Sequence, residues 1–182
     1  TEGVPNRQGF DFFFGYNCQR QAHTYYPKHL WKNEEKIWLE NKLIVPGTKL
    51  AEGSDPLDDT SYGDYSLTDY APDMMFEETL RFLDETGDSP FFLYFATTVP
   101  HGPTSADRSW NADPRVTARG ILEEAPQGMP ARHTLAKRIK EAGLEGTGRE
   151  NILWLDDALG ALMNKLQEHD ILDNTLIVFF ND

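Results

Sequence analysis

Pro90-Phe91-Phe92-Leu93-Tyr94-Phe95-Ala96-Thr97-Thr98-Val99-Pro100-His101-Gly102-Pro103 is the stretch that decides the fold. Phe91 to Ala96 is a continuous apolar run of strand length, which fits a central strand buried on both faces. Thr175 to Phe180 repeats that pattern near the other end of the chain. Before it, Ile152, Leu155, Leu159, Leu162, Met163 and Leu166 fall on one helical face. Before the first run, a helix is predicted from about Asp69 to Leu83. Pro72 and the acids there suit a first turn, and Phe76, Thr79, Leu80 and Leu83 make an apolar-leaning stripe. Helix, strand, long connection, helix, strand predicts an α/β fold with a mostly parallel central sheet flanked by helices. The two apolar runs are expected to lie in that sheet, buried and parallel.

Upstream, residues 1–33 are crowded with aromatics and glycine. Lys28–Trp31 and Lys36–Leu39 read as hairpin arms around a turn at Asn33-Glu34-Glu35. Residues 46–64 carry Gly, Pro, Ser and Asp and read as a loop. Residues 103–148 scatter Pro, Gly and charge, with a short helix near His133–Ala142. No internal repeat or low-complexity segment is present. The chain opens on a polar loop without Met and closes on a buried-looking strand, whereas domains usually end in exposed polar segments. Residues 1–182 are therefore expected to be part of a single catalytic domain, cut at both ends and incomplete as a fragment.

Hydrophobic residues are 39% and charged residues 26% of the 182, a globular composition. No apolar run approaches the roughly 18 residues of a membrane span. The net charge is −13, and 15 of the 30 acids lie between Glu34 and Asp88 beside four bases. This argues against nucleic acid as a partner, because phosphate binding needs basic patches. An anionic substrate requires a pocket whose local field opposes the global sign. Cys18 is the only cysteine, so neither an intrachain disulfide nor a zinc-cysteine cluster can form.

Ligands of open parallel sheets bind beyond the carboxyl ends of the strands. His101 follows the first run and Asp182 follows the second, so both are candidates for one cleft. The competing readings are a loop histidine capping a backbone group and a strand-end turn residue. Pro100 and Pro103 restrain the backbone around His101. Asn17-Cys18-Gln19-Arg20-Gln21-Ala22-His23 is a polar segment inside the aromatic stretch. Arg20 is suited to fork onto an anionic group and His23 to donate to a sugar or sulfate oxygen; the alternative for both is hydrogen bonding to their own loop. Cys18 lacks an activating partner and reads as a small packed residue. Asp156-Asp157 are neighbours on a helix and point about 100° apart, so they do not chelate together. They and Asp58-Asp59 read as solvated flanks.

At these residues the chain resembles type I, formylglycine-dependent sulfatases of the alkaline phosphatase superfamily. Gly9 to Tyr16 (GFDFFFGY) is similar to the family's GFDxFxGY. Asn17 to Asn33 (NCQRQAHTYYPKHLWKN) is similar to bacterial arylsulfatases. Pro90 to Pro103 resembles PFFLYLxxxxPHxP, Asp156 to Gly160 resembles the late helix, and Thr175 to Asp182 resembles TLIVFTSDNG. The resemblance implies a sulfuric ester hydrolase in which a formylglycine hydrate attacks sulfur and a divalent cation, usually calcium, holds the sulfate. It implies His101 as the histidine at the ester oxygen and Asp182 as a metal ligand. It further implies a sulfated small molecule or glycan as substrate and a periplasmic or secreted location. Cys18 precedes Gln19-Arg20-Gln21 rather than x-Pro-x-Arg, so the formylglycine is expected upstream of this chain and the fragment alone is expected to be inactive.

Two rivals stand beside that reading. A phosphodiesterase or phosphonate hydrolase of the same superfamily shares the sheet and the metal logic. A non-catalytic carbohydrate-binding module would use the aromatics of residues 10–31, although phenylalanine, which outnumbers tryptophan there, more often fills cores.

Overall fold

Two packed layers, an N-terminal antiparallel ribbon and a helix pair, organise the computed structural model. It describes residues 3–42, 51–54, 60, 68–87, 89–101, 116–117, 120–121, 124–145, 147 and 149–180. The ribbon is β1 (Phe14–Gly15), β2 (His29–Lys32) and β3 (Glu35–Trp38), antiparallel in the order β1-β2-β3. The two-residue connection Asn33-Glu34 joins β2 to β3, with Asn33 at a φ of 54°. Positive φ at the first loop position matches the primed turns that suit a twisted hairpin, and Asn tolerates it well. The Asn33 side chain also accepts the Phe13 N–H at 2.9 Å, locking the turn to β1.

The helices are α1 (Ala71–Thr86), α2 (Leu135–Glu141) and α3 (Ile152–Glu168); β4 (Val116–Thr117) and β5 (Gly120–Ile121) form a separate antiparallel pair. None of the helices among the described residues is long and apolar enough to cross a membrane. Pro72 sits in the first turn of α1 and Gly87 at its C-cap. Met75, Phe76, Thr79, Leu80 and Leu83 are buried along one face. β1 crosses α1 closely: a Cβ added at Gly15 would meet the Met75 sulfur at 3.4 Å, and Gly15 has a φ of 148°. Two clusters form the core. Leu30, Leu39, Ala71 and Met75 join the ribbon to α1. Tyr25, Tyr26, Tyr70, Phe76, Leu80, Val99, Trp154, Ala158 and Ala161 join the N-terminal loop, α1 and α3.

Asn41 fastens these layers. Its fully buried amide donates to the carbonyls of Pro27 and Asp69, both at 2.9 Å, and accepts the N–H groups of Thr68 and Asp69 at 2.8 and 2.9 Å. Both donors and both lone pairs are used, which removes the cost of burying the amide.

Two expectations change. The buried face of α3 is Trp154, Ala158, Ala161, Lys165 and Leu166, whereas Ile152 and Met163 of the predicted stripe are exposed. The small residues let α3 approach, and the Lys165 stem is buried while its ammonium bonds Asp84 at 3.0 and 3.3 Å. The apolar runs also differ from the buried parallel strands expected of them. Neither is assigned to a strand or has a ladder partner among the described residues, and both sheets found there are antiparallel. Along residues 91–96 burial alternates with a period of two. Phe91 packs on Phe82 and Phe95 on Phe76, while Phe92 and Tyr94 point outward, Phe92 being 75% exposed. In the second run Leu176 is 89% exposed, and Val178, Phe179 and Phe180 are also exposed. A run apolar on both faces needs neighbours on both, and on the outward side of residues 91–96 the described residues give Phe92 a ring contact with Phe10, 6.0 Å between centroids, and leave it largely exposed.

Candidate active site

The run ending at Ala96 turns sharply into the Pro100-His101 corner. The His101 N–H donates to the Thr98 carbonyl at 2.9 Å, and Val99 beside it is buried in the core. The peptide bond between Val99 and Pro100 is cis. Tyr25, almost wholly buried, donates its hydroxyl to the His101 carbonyl at 2.6 Å, and the buried Asn151 amide donates to the same hydroxyl at 3.4 Å. The corner is therefore anchored through its backbone to the N-terminal loop and to the residue before α3. The His101 ring stays exposed.

The polar segment 17–23 folds as a tight turn. Cys18, which is exposed, accepts the Gln21 and Ala22 N–H groups on its carbonyl at 3.0 and 3.1 Å, starting a short 3-10 helix at Gln21–His23. Arg20 precedes that helix as its N-cap and is exposed. His23 sets its Nδ1 2.9 Å from the Gln19 carbonyl, which assigns the proton to Nδ1 in the neutral ring and makes Nε2 the acceptor nitrogen. The rings of His23 and His101 meet edge to face, with centroids 5.5 Å apart. Residues 78 positions apart thus share one surface, with Arg20 on the turn that carries His23. Such a surface offers one imidazole for proton transfer and beside it an Nε2 that accepts in the neutral ring and donates to an oxyanion only as the imidazolium.

Other candidates go elsewhere. Asp157 is taken up by Arg138 in a two-pronged ion pair at 2.6 and 2.8 Å, a helix-packing role, and Asp156 is exposed. Asp182, expected as a metal ligand, and Asp58-Asp59 lie outside the described residues. Among the described residues no three His, Cys, Asp or Glu side chains gather as a metal site would require. Two supports of the site were not readable from sequence. Tyr25 and Asn151 lie 76 and 50 positions from His101, and no spacing rule connects them. The buried Asp73 was read only as a helix-start acid. It bonds both Arg132 and the Trp154 indole N–H, the latter at 2.9 Å. Burial pushes its carboxyl up to about 6, against the opposing pull of Arg132 and Trp154.

The family model of sulfatases matches residues 1–182. The multifunctional alkaline phosphatase superfamily protein PehA of Trinickia caryophylli is 26% identical over 205 residues, an alignment covering 98% of this chain and 36% of that protein. The chain spans about a third of the length of that relative. The family match runs through the turn that holds His23, the corner that holds His101 and both helices packed beneath them, and the chain belongs to the sulfatase family.

Proposed function

We propose that this chain is part of a hydrolase of sulfate esters, acting on a sulfated small molecule or glycan, with His101 as the group that protonates the departing ester oxygen. The observation that carries the reading is the exposed His101 ring on a backbone-anchored corner, facing His23, within a chain matched end to end by the sulfatase family. His101 gives its proton to the bridging oxygen as the S–O bond breaks, so the alcohol leaves neutral. Arg20 holds the sulfate oxygens through its planar fork, and His23 is assigned beside it as a substrate contact that donates from Nε2 only as the imidazolium, since its Nδ1–H is taken by the Gln19 carbonyl. Asp182 is assigned as one ligand of a divalent cation, calcium by its preference for hard oxygen ligands. When bound, that ion supplies charge stabilisation to the sulfate. The attacking atom is a formylglycine oxygen from outside residues 1–182, so the 182-residue chain alone does not turn over. The resemblance to arylsulfatases supports a periplasmic or extracellular location.

A second reading, hydrolysis of phosphate or phosphonate esters, is favoured by the alkaline phosphatase superfamily name of the relative. The experiment compares aryl sulfate, alkyl sulfate and aryl phosphodiester turnover by a protein carrying the complete catalytic domain and by its His101→Ala variant. Loss of general acid assistance is worth about 10²–10⁴-fold, and it should fall on the alkyl sulfate, whose alkoxide is strongly basic, far more than on a nitrophenyl sulfate. Equal losses would reduce His101 to positioning sulfate. Faster phosphodiester than sulfate turnover would replace the first reading with the second.

A further inference from the structure

The β2–β3 hairpin has two faces, because side chains alternate along a strand. Its register pairs His29 with Trp38, Leu30 with Ile37 and Trp31 with Lys36. Leu30 and Ile37 face inward and pack with Leu39, Ala71 and Met75. The outer face therefore holds His29, Trp31, Lys36 and Trp38. A solvated sheet face normally carries polar residues, yet this one carries two indoles, and Trp38 is 64% exposed. The Lys36 ammonium stands 5.4 Å from the Trp31 ring centre and 5.5 Å from that of Trp38. The His29 ring lies 5.9 Å from Trp31 and 5.2 Å from Trp38. The inward face already anchors the hairpin, so its attachment to α1 does not use the indoles.

We propose that this outer face is a binding shelf for a sulfated oligosaccharide, with a sugar ring stacked on Trp38 and its sulfate on Lys36. The glycan class rests on the reading of the protein as a hydrolase of sulfate esters. Indole faces take the C–H face of a pyranose as they take any flat apolar surface, and their polar edges tolerate water. The charge pattern selects the anion. In a chain of net charge −13, Lys36 is the cation of this face: Lys28 bonds the Asn41 carbonyl at 2.9 Å, Lys32 pairs with Glu78 at 3.6 Å, and Glu34 is engaged by Arg7 at 2.7 Å. Burial and the nearby Lys36 lower the His29 pKa, so its imidazole is neutral at neutral pH and both donates and accepts, as sugar hydroxyls require. The shelf is also tied to the candidate active site. The Gln21 amide donates to the His29 carbonyl at 2.5 Å, and Gln21 opens the short helix that carries His23. An oligosaccharide lying on the shelf would thus meet an element that shares its support with the His23–His101 surface.

The test titrates the 182-residue chain with chondroitin 4-sulfate and heparin tetrasaccharides and their desulfated counterparts, read by tryptophan fluorescence and calorimetry. At least one sulfated probe should bind. Trp38→Ala should weaken it by about tenfold or more, the size of one good aromatic contact. Lys36→Met, which keeps the apolar stem, should bring the sulfated probe down to the affinity of the desulfated one. Trp38→Leu serves where the alanine variant melts early, and it should show the same loss. Absence of binding by every sulfated probe, or equal binding by wild type and both variants, would overturn the shelf and leave the indoles as cross-strand packing. Binding with the expected variant pattern, in a protein whose complete domain hydrolyses no sulfate ester, would support the shelf and overturn the hydrolase reading instead.

Discussion

Asn41 carries more of this structure than its residue type suggests. Its amide closes four hydrogen bonds between the end of the hairpin and the approach to α1, all in a fully buried position. Asn41→Ala leaves two carbonyls and two N–H groups without partners. Each buried orphan costs about 1–3 kcal/mol, so the variant should lose about 3 kcal/mol or more in a urea titration, while Asn41→Asp keeps the acceptors and loses the donors. Asp73 gives a pH-dependent counterpart. Burial pushes its folded carboxyl up to about 6 from an ordinary value of 3.8, so the folded state holds the proton more tightly. Its stabilising contribution is complete below about 3.8 and is lost as pH rises through about 6, on the order of 2–3 kcal/mol. The stability difference between wild type and Asp73→Asn should therefore shrink or reverse over that window. A flat difference would mean that Arg132 holds Asp73 ionised throughout. Legibility at this scale was uneven for a physical reason. His101, Arg20 and His23 stand in local motifs, so their candidacy was readable. Tyr25, Asn41 and the Asp73–Arg132 pair act on partners far along the chain, and no local pattern marks them.

At the scale of elements, period was readable and facing only in part. The hairpin arms expected at 28–31 and 36–39 appear as His29–Lys32 and Glu35–Trp38, and the helix expected from about Asp69 runs Ala71–Thr86. Alternation and a helix-start proline are local signals, so they survive into the fold. The face of α3 was legible in part: Leu166 is buried and Leu155 and Leu162 pack partly buried against the core, but Ile152 and Met163 are exposed and Trp154, Ala158 and Ala161 sit within it. The buried face was decided by size and charge. Two alanines admit α1, and Lys165 reaches Asp84, where His169 also bonds at 2.9 Å. Lys165 and His169 hold the Asp84 carboxyl below its usual range. This packing predicts that Ala161→Leu overpacks the contact. A Cβ at Gly128 would already stand 3.3 Å from the Ala161 Cβ, so the added methyls have nowhere to go on that side. A loss of about 1–3 kcal/mol is expected, measured by thermal melting, against a near-neutral Met163→Leu on the exposed side. If the two variants melted alike, α3 would be packed on its other face.

At the scale of the whole molecule the decisive feature is two apolar segments that have no ladder partner among the described residues. The sequence pattern called for strands buried on both faces, and the α/β architecture expected from family membership provides such burial in a central sheet. In this chain residues 91–96 bury one side only, and Leu176, Val178, Phe179 and Phe180 are exposed. Among the described residues neither segment has a ladder partner, and a strand edge without one is a template for pairing with another chain. Rich in β-branched and aromatic residues, uncharged over six residues and without proline, residues 175–180 match the sequence pattern that pairs edge to edge. Net charge opposes this, since −13 repels like copies. That repulsion is screened beyond about 8 Å at physiological salt, whereas strand pairing acts at contact distance. Contact should therefore win once salt is present. The 182-residue chain is expected to bind a hydrophobic dye and to elute above monomer size at tens of micromolar, with the associated fraction rising as salt is added. A double variant, Tyr94→Lys with Val178→Lys, places a charge on the exposed side of each segment without touching Phe91, Phe95 or the packed helices. It should return the chain to monomer with its melting temperature kept. A wild-type chain that stays monomeric and dye-free at high salt would mean that the two segments cover one another in solution, and the parallel pairing read from the sequence would then be formed within this chain.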